Sequence, residues 1–279
     1  MTEPTLYPES GFLRLRLDLA YDGTNFSGWG KQPDRRSVQE EVEKALAKIS
    51  QSKVDSIVAG RTDAGVHATG QVIHVDLPES IQLDELGYKL NRILDPDVRV
   101  LDVSIAPPAF HARFSALRRH YTYKILDSNQ AIPPLRRFDV ASWYRPLDIE
   151  AMNTASALLL GDHDFAAYCK FREGATTIRQ LQKFEWVRDS DGYLVGDVVA
   201  DAFCYSMVRN LVGAVVCVAD GRFGPEWIAE TLANKVRISD SLVFPACGLT
   251  LRQVDYPSDS ELLDRAAQTV ARREAQDQE

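Results

Sequence analysis

Between Ala59 and Gly70 the chain reads Ala-Gly-Arg-Thr-Asp-Ala-Gly-Val-His-Ala-Thr-Gly, so three glycines bracket one arginine and one aspartate. Glycine admits tight turns and the close approach of another backbone or a ligand. Polar loops held between strands are common places for catalytic residues, which makes Asp63 and Arg61 the first candidates for chemistry. A carboxylate there offers acid–base or nucleophilic chemistry, and the guanidinium offers an anion contact. Turn chemistry explains the same spacing: Asp63 would cap a turn and Arg61 would pair with a surface carboxylate. Spacing alone leaves both readings open.

The elements that must hold this loop are legible around it. Leu13, Leu15, Leu17 and Leu19 alternate with polar residues, which predicts a half-buried strand broken at Asp22-Gly23. Ser37-Val38-Gln39-Glu40 is a capping-box pattern, and Val38, Val42, Ala45, Leu46 and Ile49 form a helical face behind it. Strands are expected over 54–58 and 71–77, flanking the loop, then a helix over 83–94 and a strand over 98–105. Pro107-Pro108 is stiff, extended backbone and a plausible joint. Beyond it, 121–126 reads as a strand, and 148–160 as a helix with an Asp148 cap and a Gly161 stop. Segments 184–188 and 193–199 flank Ser190-Asp191-Gly192 as a hairpin. Met207–Val218 is a strongly apolar helix, Pro225 opens another through Asn234, and 249–254 returns as a strand. The expected fold class is α+β in two halves, 11–108 and 109–257, followed by a charged tail, 258–279, that is disordered or a frayed helix. No sequence repeat relates the halves, although similar element order would permit a pseudo-twofold arrangement.

Composition narrows the function classes. The chain has 279 residues and a formal net charge of −8. Nucleic-acid binding ordinarily needs positive surface, because neutralising phosphates releases counterions. Here the positive charge is local: Arg113, Arg118, Arg119, Lys124, Arg136, Arg137 and Arg145 face only Asp127 and Asp139 between His111 and Arg145. No apolar run is long enough to cross a bilayer, and 1–10 lacks the features of a signal peptide. The cysteines, Cys169, Cys204, Cys217 and Cys247, show no C-x-x-C spacing. That pattern argues against a disulfide framework and a zinc site and for a reducing cytoplasm. The five histidines are dispersed too, so no metal cluster is visible.

The run Gly60-Arg61-Thr62-Asp63-Ala64-Gly65-Val66-His67-Ala68 resembles the signature of the tRNA pseudouridine synthase A (TruA) family. Further matches follow in order: Tyr21-Asp22-Gly23 with Gly28-Trp29, Phe110 to Ala116, Tyr121-Thr122-Tyr123, Gly161 to Phe165, Ala202-Phe203, Met207-Val208-Arg209-Asn210 and Gly248-Leu249. The resemblance spans about 13–257. Departures are Gly30, where the family often has Gln, and Cys204-Tyr205-Ser206, where histidine-rich sequence is common. The stretch 169–177 matches poorly.

The resemblance implies the pseudouridine synthase fold, with two similar α+β halves whose antiparallel sheets join across a central RNA-binding cleft. It implies an isomerase acting on uridines 38 to 40 of the tRNA anticodon stem-loop, working as a homodimer without cofactor or metal. Asp63 would be the catalytic carboxylate, attacking ribose C1′ or removing the C2′ proton. Arg209 would pair with that carboxylate; its setting among Met207, Val208, Leu211 and Val212 equally suits a structural ion pair. Tyr121 would stack on the target base, or serve only as a strand aromatic. Arg61 would meet a phosphate or help extrude the base. His67, His74 and His111 fit structural or RNA-contact roles better than acid–base catalysis. Three rivals stand beside this reading: the same reaction on another uridine, a non-catalytic tRNA-binding protein, and a carboxylate-based nucleoside hydrolase.

Overall fold

The computed structural model describes residues 7–170, 176–235 and 243–276, with side chains described as far as 269. Most of the poorly matching stretch 169–177, the first six residues and the last three therefore lie outside the described residues. Two compact units emerge, Met1–Leu117 with Leu251–Ala275, and Arg118–Thr250.

The first unit carries strand β1 (Phe12–Tyr21), helix α1 (Val38–Ser50), the short β2 (Ile57–Val58), β3 (His67–Pro78), helix α2 (Leu86–Ile93) and β4 (Val98–Ile105). Its sheet runs β4-β1-β3, with β1 antiparallel to both neighbours and β2 attached to β3. The leucine alternation behaves as expected: Leu15, Leu17 and Leu19 are fully buried. Arg14 is buried on the opposite phase. Its guanidinium forks onto Asp76 through Nε and Nη2, each at 2.8 Å, and Nη1 donates to the Pro108 and Phe110 carbonyls. That pairing makes a buried arginine tolerable and ties the 108–110 turn to the strand.

The capping box expected at Ser37 does not form. Ser37 occupies the N-cap of α1, yet its buried Oγ finds no partner among the described residues, and Glu40 pairs with Lys44 instead. A true capping box appears at Ser258–Glu261, where Ser258 Oγ donates to Glu261 at 2.6 Å. It leads into helix α6 (Leu262–Gln276), whose Leu262 and Ala266 are buried and whose Thr269 hydroxyl donates to the Phe114 carbonyl.

The second unit holds β5 (Arg118–Asp127), β6 (Ala141–Trp143), helix α3 (Ile149–Ala157), β7 (Gly161–Asp164), β8 (Ile178–Arg188), β9 (Leu194–Ala200), helices α4 (Met207–Ala219) and α5 (Glu226–Asn234), and the start of β10 (Leu249–Asp255). β5, β9, β8 and β7 follow one another as antiparallel neighbours, and β6 adds in parallel beside the end of β5. Asp148 caps α3 by accepting from Glu150 and Ala151 N–H, as its position predicts. α4 is buried nearly all round, which explains why its sequence is apolar on every face. The three-residue β6 and four-residue β7 escaped the periodicity reading because strands that short show no alternation. Among the described residues no helix is long and apolar enough to cross a membrane.

Candidate active site

The loop bearing Asp63 joins β2 to β3 and is anchored from beneath within the first unit. Gln71, fully buried on β3, donates from Nε2 to the Gly60 carbonyl at 2.8 Å and to the Tyr21 hydroxyl at 3.1 Å. The same hydroxyl shares a 2.8 Å hydrogen bond with Thr62 Oγ1. Burial pushes the Tyr21 phenol up to about 12, so it stays protonated as a bridge. The Trp29 amide donates to Thr62 O, and the Gly65 amide to Phe26 O. Within the loop the Val66 amide donates back to Asp63 O at 3.1 Å, closing a turn that Gly65 permits with φ +77°. Asp63 is therefore half-buried at the crest of a turn held at both shoulders, and Arg61 is exposed next to it.

The glycines around this loop are required by close approach. A Cβ on Gly23 would lie 2.1 Å from the Val66 carbonyl oxygen, and one on Gly28 would lie 2.9 Å from Thr62 O and 3.3 Å from Asp63 C. The 21–29 segment is thus the floor against which the Asp63 turn is cast. At Gly30, a Cβ would stand 3.7 Å from Arg61 Cζ, so the Arg61 guanidinium lies against the space that a side chain at 30 would occupy. This gives the Gly30 departure a local consequence.

Tyr121 and Arg209 belong to the second unit, where a chain of contacts connects their surroundings. Tyr121 and Tyr123 lie two residues apart on β5, opposite Val198 and Gly196 of β9. Tyr121 is 6% exposed, and the Phe203 ring meets it edge-on at 5.1 Å. Tyr123 packs edge-on against Phe244 at 5.8 Å and donates its hydroxyl to Pro245 O. Arg209 reaches the same segment: its Nε donates to Phe244 O at 2.7 Å, while its own carbonyl accepts the Phe244 amide. Gly248 is held to hydrogen by crowding, since a Cβ there would sit 2.6 Å from the Tyr123 ring. The guanidinium is half-buried on the first turn of α4, as expected for a charge among apolar neighbours.

Two readings of the sequence need revision or detail. Cys169 and Cys204 are joined as a disulfide, with Cα atoms 5.9 Å apart across 35 residues of sequence. Spacing hid this pair because the fold, not a local motif, brings the two together. His67, His74 and His111 are buried, and the Nδ1 of each accepts a backbone amide, from Gly23, Ala112 and Phe114 respectively. Burial, with Arg14 nearby, drives His74 down to about 2 and His111 down to about 4. Both are neutral supports of the 110–116 segment. The residues missed by sequence reasoning are Tyr21, Thr62 and Gln71, the polar triad under the loop. A single glutamine within a strand carries no signal of that role.

A family model described as tRNA pseudouridine synthase matches residues 19–115 and 155–257. The tRNA pseudouridine synthase A of Frankia casuarinae is 53% identical over 264 residues, covering 94% of this chain and 96% of the relative. That of Streptomyces griseus is 54% identical over 266 residues, covering 93% and 94%. That of Mycobacterium leprae is 46% identical over 284 aligned positions, covering 96% and 98%.

Proposed function

The chain belongs to the tRNA pseudouridine synthase A family, and from that premise we propose that it isomerises uridines 38 to 40 of the tRNA anticodon stem-loop with Asp63 as the catalytic carboxylate. The reaction breaks the bond from ribose C1′ to uracil N1, turns the base, and rejoins it through C5. No group is carried away and nothing is oxidised. The carboxylate either adds to C1′ or takes the C2′ proton, and the base is then held while it turns.

The observation that carries this reading is the mounting of Asp63. Its turn is tied down at Gly60, Thr62 and Gly65, and two glycines beneath it leave no room for side chains. A surface cap would not need such a cast, whereas a reacting carboxylate does, since misplacement by an ångström is costly. Tyr121 supports the displaced base through the small ring surface it leaves exposed. Arg209 supplies a positive charge of the kind that keeps a reacting carboxylate ionised. Arg61, exposed beside Asp63, meets the phosphate backbone or fills the gap left by the extruded base. The tRNA is held by a homodimer, which lets an acidic chain assemble a longer basic groove, and the enzyme works where tRNA is, in the cytoplasm.

The test is tritium release from unmodified tRNA transcript labelled at uridine C5, because that hydrogen leaves only when the base rejoins through carbon. Release that disappears when uridines 38 to 40 are replaced by cytidine supports the proposal. Release that persists moves the activity to another uridine. Tight binding with no release makes the protein a non-catalytic tRNA binder, and free uracil makes it a hydrolase.

A further inference from the structure

The loop between β9 and α4 is short, polar in its backbone contacts, and tethered more firmly than its length requires. At its start, the Asp201 carboxylate accepts the Gln180 and Ala202 amides at 3.0 and 2.7 Å. The Arg119 guanidinium donates to the Asp201 carbonyl from β5. At its far end, the Met207 amide donates to Cys204 O and the Lys170 amide to Tyr205 O. The Cys169–Cys204 disulfide fastens the middle. Ser206 then enters α4 in the left-handed region, with φ +60°.

What these tethers hold in place is Phe203. Its ring is half-buried, at the margin of the fully buried core. Its edge contact falls on Tyr121, with ring planes at 86° and centroids 5.1 Å apart. β5 presents Arg119 and Tyr121 on one face, since alternate residues share a face. Arg119 pins the loop backbone, and Phe203, two residues on, pins the ring next to it. A tyrosine has two side-chain rotations, and an edge-on neighbour removes the freedom of the second.

We propose that Phe203 is a positioning residue for the isomerisation: it fixes the plane of the Tyr121 ring so that the exposed part of that ring meets the extruded base. The inference rests on the reading of Tyr121 as the base-stacking residue. It deepens that reading by naming the group that orients the stack. Docking of the tRNA depends mainly on phosphate contacts, so an error in ring orientation is felt after docking, in turnover.

The experiment uses the full chain with labelled tRNA under single-turnover and steady-state conditions. Phe203→Leu keeps apolar volume but removes the ring edge; Phe203→Tyr keeps the edge. Phe203→Leu is expected to lower kcat roughly five- to tenfold with KM within about twofold, the size of one aromatic edge contact. Phe203→Tyr should return kcat to within about twofold of wild type. In a Tyr121→Ala background, Phe203→Leu should cost nothing further, because a group that acts through Tyr121 has nothing left to orient. Wild-type kcat in Phe203→Leu, an equal loss in Phe203→Tyr, or a full additional loss in the Tyr121→Ala background would each overturn the inference. Wild-type turnover in Tyr121→Ala alone would instead remove the stacking reading beneath it, and the two failures are thereby told apart.

Discussion

The two regions that carry the proposed chemistry are built by different physics. The Asp63 turn of the first unit is positioned by backbone and polar side-chain hydrogen bonds over a floor of glycines, within the span 21–71. The Tyr121 and Arg209 surroundings of the second unit are positioned by rings packed edge to face, by carbonyl contacts from the 244–248 segment, and by a disulfide. Hydrogen bonds fix a reacting carboxylate to a few tenths of an ångström and resist displacement. Ring packing tolerates small adjustments, which suits a surface that must accept a turning base. The contrast predicts that steric damage to the first region is severe and that damage to the second is graded.

Among changes to the supports around the reacting groups, the largest expected effect is Gly23→Ala. The added methyl would meet the Val66 carbonyl at 2.1 Å, so the turn must shift by about an ångström, and turnover should fall roughly 100-fold. Tritium release at saturating tRNA checks this, and unchanged release would mean that the cast under Asp63 is unimportant. Next comes Arg209→Lys. Lysine has one charged nitrogen where Arg209 has three, so it cannot keep the Phe244 carbonyl contact and also present a planar charge. Turnover should fall roughly 10- to 100-fold while the thermal midpoint stays within a few degrees; near-normal turnover would sink the role assigned to Arg209.

How far the sequence reveals these regions follows from the same contrast. The Asp63 loop is legible because its constraints are local: glycines, a polar run and two flanking strands lie within a few dozen residues. The helices and strands came through well where alternation or an apolar face persisted, as in Leu15–Leu19 and in α4. Ser37 misled because a cap residue was present but its hydroxyl found no amide among the described residues, and Ser258, in a charged segment with little apolar periodicity, formed the box instead. The contacts that set Tyr121 are invisible at the sequence level. Phe203 lies 82 residues from it, and the Cys169–Cys204 pair depends on β9 delivering its loop beside the turn that follows β7. Pairings of that kind are decided by topology, which no local pattern encodes.

Arg61→Ala should produce a smaller change, in binding rather than in turnover geometry. Losing one phosphate contact weakens tRNA affinity about uniformly and lowers the slope of log affinity against log salt by about one. A titration at several salt concentrations reads both, and an unchanged slope would exclude the phosphate role. A further effect concerns stability and leaves turnover geometry untouched. His111 falls from its ordinary value of 6.5 to about 4 on folding because burial disfavours its charge. Between those values the unfolded chain binds the proton and the folded chain does not. The contribution is therefore complete above pH 6.5 and lost as pH falls toward 4, on the order of 3 kcal/mol for such a shift. Thermal midpoints should decline across that window, with a shallower decline in His111→Gln. Parallel curves for the two proteins would show that His111 is not the group responsible.

If Asp63 is the carboxylate of the reaction, replacing it by its neutral isostere abolishes turnover and spares binding. Wild type and Asp63→Asn are each given C5-tritiated tRNA at saturating enzyme in a single turnover, with tRNA affinity measured on the same preparations. Asparagine keeps the size of the side chain and removes its charge. Tritium release should fall at least about 1000-fold, as expected for loss of an essential acid–base or nucleophilic group, while affinity stays within a few-fold. Release near the wild-type rate from a variant that binds tRNA normally would contradict that role for Asp63.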